Sequence, residues 1–121
     1  MRPERLYLQD MLDAADAISR YITGVEEDEF LADYVLRDAV RARLTDIGEA
    51  ASRIPKEVMT RHPQVSWRKA ADPRNVLVHQ YFGIIWEPIW RVATEDVPIL
   101  REQIAAIIEA EFPGDPAQYL E

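Results

Sequence analysis

Apolar residues recur every three to four positions along three long segments. Leu8, Met11, Leu12, Ala15, Ile18 and Ile22 form the first such stripe. Leu36, Val40, Leu44, Ile47, Ala51 and Ile54 form the second, and Ile89, Val92, Leu100, Ile104, Ile107 and Ile108 the third. That spacing puts each set on one face of an α-helix, whereas a half-buried strand would need strict alternation. No sustained alternation occurs. Val76-Leu77-Val78 has strand-like composition, but it is short and lacks an evident pairing partner. The pattern predicts an all-α bundle of about four main helices with short connecting ones.

Punctuation sets the boundaries. Pro3 suits a first turn, and Gly24 ends the first helix. Glu26-Glu27-Asp28-Glu29 is an acidic connection or a helix N-terminus, where the dipole favours carboxylates; no histidine lies near it to suggest a metal. Gly48 sits inside the second stripe, where close helix approach would explain it and so would simple tolerance. Pro55 starts a short helix that His62-Pro63 closes, and Ser66 is placed to cap Trp67–Ala71. Asp72-Pro73 punctuates again, and Phe82-Gly83 breaks the chain. Pro88 fits a first turn, and Pro98 should kink or restart the last helix. The 121 residues read as one domain, with a mobile tail from about residue 112.

Composition narrows the classes of function. There is no cysteine, which excludes disulfides and thiolate metal sites. No apolar run approaches the length of a membrane span, and Met1-Arg2-Pro3-Glu4-Arg5 lacks the apolar stretch of a signal peptide, so a cytoplasmic protein is expected. The net charge of −8 argues against general nucleic-acid binding. Residues 53–91 invert that balance, with seven Lys/Arg against three Asp/Glu. A local anionic ligand such as RNA is compatible with this asymmetry.

The basic segment surrounds Arg74-Asn75-Val76-Leu77-Val78-His79-Gln80-Tyr81. By residue type it carries what metal-free RNA cleavage needs. His79 can move protons between the 2′-hydroxyl, the phosphate and the leaving oxygen near neutral pH. Arg74 can neutralise charge on the transition state, and Asn75 can orient the phosphate or the imidazole. Attack by the 2′-hydroxyl would leave a 2′,3′-cyclic phosphate. On one helix Arg74 and His79 stand about 140° apart, so they converge only in a shared groove such as a two-fold dimer offers. Spacing alone leaves a structural histidine open. Elsewhere, Arg61, Arg68 and Lys69 are candidate RNA-backbone contacts or solvated cations. His62 reads as a solvated loop histidine, and Trp67, Trp86 and Trp90 as packing residues rather than base-stacking platforms.

Arg-x4-His-x-Tyr with Asn after the Arg resembles the signature of the HepT-like ribonuclease toxins of the HEPN superfamily. Ile47-Gly48-Glu49-Ala50-Ala51, Arg61-His62-Pro63, Trp67-Arg68 and Tyr81-Phe82-Gly83 extend the likeness over about residues 5–110. Asp72-Pro73 ahead of Arg74 departs from the pattern and bears on the local turn. The resemblance implies a HEPN-like helical bundle and a homodimeric, metal-independent endoribonuclease without cofactor, acting on tRNA or mRNA. It implies a toxin of a type VII-like toxin–antitoxin pair, whose MNT-type nucleotidyltransferase antitoxin adds AMP to Tyr81. The alternative is a catalytically silent helical subunit that presents a substrate or nucleotide to that nucleotidyltransferase.

Overall fold

Pro3 caps the first helix without a side-chain bond, and its fixed φ of −60° sets the chain to enter α1, Glu4–Ile22. Glu4 in the first turn and Arg20 in the last both complement the helix dipole. The α1 stripe lies in the core: Leu8, Met11 and Ile18 are wholly buried. At its end the Thr23 hydroxyl donates to the Ser19 carbonyl, and Gly24 takes a φ of +76° that a Cβ would disfavour.

The computed structural model describes residues 3–73 and 85–114. The acidic run resolves as a helix start: α2, Glu27–Ala32, opens with a capping box in which the Glu26 N–H donates to Glu29 Oε1 at 2.9 Å. Asp33 then accepts from the Leu36 N–H and starts α3, Tyr34–Ser52. Short helices α4, Lys56–Arg61, and α5, Trp67–Ala71, follow. After the undescribed stretch come α6, Glu87–Arg91, a π-helical turn, Val92–Asp96, and α7, Val97–Glu111.

The long helices α1, α3 and α7 make the body of the bundle, with α1 packed against both others. The fold is all-α, and among the described residues there is no strand. The expected restart at Pro98 takes the form of the π turn. Proline lacks the N–H that would bond the Thr94 carbonyl, and its ring would crowd that carbonyl. The helix widens instead, and the Val97 N–H reaches back to the Val92 carbonyl.

Gly48 faces α5. A Cβ there would stand 3.6 Å from the Ala70 carbonyl oxygen, so a methyl fits but a longer side chain would push on backbone. The close approach accounts for the glycine inside α3. Ser66 does precede α5 as expected, but its hydroxyl makes no cap bond, because its ψ of 73° departs from the extended conformation a capping side chain needs. Ile54 is buried beyond the end of α3 rather than within it. Phe112 packs against the core at the end of α7. No helix among the described residues is long and apolar enough to cross a membrane.

Candidate nucleic-acid site

Arg74, Asn75, His79 and Tyr81 lie outside the described residues, as do Val76–Val78 and Phe82-Gly83. The structure shows what holds the two flanks. On the N-terminal side, α5 ends two residues before Pro73 and is pinned by Trp67, whose indole N–H donates to the His62 carbonyl at 2.9 Å. Burying the ring in the core fixes which face of α5 turns outward. That outward face carries Arg68, which is exposed, and Lys69, which pairs with Asp96 at 3.2 Å.

On the C-terminal side, Trp86 and Trp90 close on Phe30 of α2. The ring centroids are 6.3 Å apart with the planes at 75° for Trp86, and 4.9 Å apart at 38° for Trp90. Arg37 lies over the Trp86 ring at 5.0 Å and donates to the Leu31 carbonyl, tying α3 to the same cluster. The tryptophans are thus packing residues, as expected: Trp67 and Trp86 are buried and Trp90 packs against the core.

Arg61 and His62 are brought together by a residue that sequence inspection had not singled out. Glu111, at the end of α7, takes Arg61 at 2.8 Å on Oε1 and the His62 imidazole on Oε2. Glu4 stands 3.8 Å from the same guanidinium. The His62 side chain is only 17 % exposed, which corrects the reading of a solvated loop histidine. The reason is the long-range carboxylate, 49 residues away in the chain. Arg61 remains about half exposed. Among the described residues no group of His, Asp and Glu is arranged for a metal ion.

The clasp is electrostatically lopsided. The hydrogen bond from Arg61, helped by that from His62, holds the Glu111 carboxyl below its ordinary range despite partial burial. The carboxylate raises Arg61 in return. A depressed carboxylate stabilises the fold fully above its unfolded pKa and loses that contribution as pH falls through the folded value. Glu111→Gln is therefore expected to lower the urea midpoint at about pH 6 and to lower it less at about pH 3. An equal loss at both would show that the charge of Glu111 is not what matters.

The family model for HepT-like ribonucleases matches residues 11–107, a span that includes Arg74–Tyr81 and both flanks. A candidate RNase of Caldanaerobacter subterraneus subsp. tengcongensis is 32% identical over 111 residues, covering 92% of this chain and 99% of that protein. A candidate ribonuclease HepT of Thermococcus cleftensis is 34% identical over 100 residues, 83% of this chain and 91% of its own length. A candidate RNase of Methanocaldococcus jannaschii is 36% identical over 105 residues, 87% of each chain. No solved structure gives a significant match. The chain belongs to the HepT-like ribonuclease family.

Proposed function

We propose that the protein is a metal-independent endoribonuclease in which Arg74, Asn75 and His79 carry the chemistry. The observation that carries this reading is that the ribonuclease family match spans residues 11–107 and so takes in Arg74, Asn75 and His79. His79 removes the 2′-hydroxyl proton or protonates the leaving 5′-oxygen, and Arg74 neutralises the pentavalent phosphorane. The O2′–P bond forms as the P–O5′ bond breaks, leaving a 2′,3′-cyclic phosphate. Two copies related by a two-fold axis bring the motifs to one groove, with tRNA or mRNA as substrate. In the cell the protein acts in the cytoplasm as the toxin of a toxin–antitoxin pair. Induced expression in a growing bacterial host is expected to arrest growth, and His79→Ala to abolish the arrest. No arrest by either would favour the silent subunit of a nucleotidyltransferase, and equal arrest by both would remove His79 from the toxic activity.

The partner in this reading is an MNT-type nucleotidyltransferase that adds AMP to Tyr81. The modification places a phosphodiester charge and an adenosine two residues from His79, where they compete with RNA for Arg74. Intact-mass measurement after incubation with such a partner, ATP and magnesium is expected to show the mass of one or more AMP groups. Tyr81→Phe is expected to show none and to remain active. A gain that persists in Tyr81→Phe, or none in the wild type, would remove the switch and leave the nuclease reading standing.

A further inference from the structure

Between α3, α5 and the start of α7 lies a cavity of about 200 Å³. Its walls are aliphatic, with Leu44 and Ile47 on one side and Val97 and Leu100 on the other. The π turn shapes it. Val92 and Val97, whose carbonyl and N–H share the π turn's i→i+5 bond, both line the cavity. The rim is different in chemistry. Ser66, Lys69, Asp96 and Gln103 stand there and together supply hydrogen-bond donors and acceptors. Gln103 is held by its amide N–H, which donates to the Gln64 carbonyl at 3.0 Å. The Lys69–Asp96 pair is 61 % and 39 % exposed, and a pair so open to water readily exchanges partners.

Ser66 and Lys69 also line a second, open groove that passes over Trp67 and Arg68 to Asp72. One pair of residues therefore joins an aliphatic cavity with a polar rim to a groove bearing a cation. A nucleotide has this form: a flat base with a hydrogen-bonding edge, linked to an anion. Enzymes that isolate a base hold it in this way, between apolar side chains with polar groups at its edge. The groove lies on α5, whose last residue, Ala71, precedes Arg74 by three positions in the sequence. We propose that the cavity receives one nucleobase of the RNA, with the neighbouring phosphate on Arg68 and Lys69. The proposal rests on the ribonuclease reading for the identity of its ligand, and it adds a base-selective subsite to it.

The test uses the full chain and a fluorescent single-stranded octanucleotide with 2′-O-methyl groups throughout, which cannot undergo 2′-hydroxyl attack. Each base in turn is replaced by an abasic unit, and binding is read by anisotropy. One position is expected to lose about tenfold in affinity, the scale of a single held base, while the others change little. Leu100→Trp, which fills the cavity, is expected to erase that difference. Arg68→Ala is expected to weaken all the oligonucleotides alike and to reduce the salt slope by about one. If Leu100→Trp fails to fold, a wild-type cross-link from 4-thiouridine at the sensitive position should fall within 92–103. No base-dependent position, or a dependence unchanged in folded Leu100→Trp, overturns the proposal. So does a Leu100→Trp protein whose oligomeric mass changes while oligonucleotide binding does not, because the cavity would then belong to a protein interface. Cleavage of RNA with no base-dependent binding defeats the subsite alone. Base-dependent binding without cleavage defeats the ribonuclease reading instead.

Discussion

Purified His79→Ala protein is expected to cleave RNA at least about a hundredfold more slowly than wild type, and up to about ten-thousandfold. The magnitude is that of losing a positioned proton-transfer group. Methyl cannot take the proton of a 2′-hydroxyl, and water in its place is neither held nor matched in pKa. Arg74→Ala is expected to cost about as much, because charge on the phosphorane would go uncompensated. On one helix the two side chains diverge by about 140°, so the reading places Arg74 of one copy beside His79 of the other. Mixing the two inactive variants is then a test of assembly. Random exchange gives half mixed dimers, each with one intact site of two, and about a quarter of wild-type activity returns. Two variants that stay inactive after exchange would place both residues of a site on one chain. Unchanged cleavage by His79→Ala would remove the histidine from the chemistry.

Phe30→Ala is expected to destabilise the protein by about 3–5 kcal/mol, read as a fall in the urea midpoint at unchanged slope. Phe30 is wholly buried and is the one buried residue of α2. A six-residue helix has too few internal hydrogen bonds to stand alone, so α2 depends on this anchor. The ring also packs against both Trp86 and Trp90, and Arg37 covers Trp86 in turn. Truncation therefore leaves a cavity lined by large rings. A domain of this size has about 5–15 kcal/mol in all, so about a fifth or more of the stability is at stake. A loss under about 1 kcal/mol would mean that the cluster collapses around the missing ring. Trp86 follows Tyr81 by five residues in the chain, so the same variant is expected to lose activity along with the fold.

The helical architecture was legible because each long helix hides one stripe of side chains. Leu8, Met11 and Ile18 lie at the spacing that burial requires, and they are buried. Boundaries set by proline and glycine were legible for the same local reason, since Pro3, Gly24 and Pro55 act on their own backbone. Pro98 announced a disturbance but not its form, because a π turn and a kink both relieve the same missing N–H. What the sequence hid is long-range. Nothing local tells His62 that Glu111 will face it, and nothing marks Leu44, Val97 and Leu100 as walls of one cavity. Ser66 shows the limit of a positional rule: it occupies the cap position, yet its backbone angle turns the hydroxyl away from the cap. Residue types alone left His79 open between structure and catalysis. The family pattern across the flanking segments decided in favour of a ribonuclease family.

The central claim is tested most directly by the chemistry of the cut ends. Wild-type protein is incubated with a defined RNA in excess EDTA, and the fragments are weighed by mass spectrometry. The account predicts cleavage that EDTA does not slow, 2′,3′-cyclic phosphate and 5′-hydroxyl ends, and no cut where the scissile ribose is 2′-deoxy. Cleavage that stops in EDTA, or that leaves 3′-hydroxyl and 5′-phosphate ends, would contradict it.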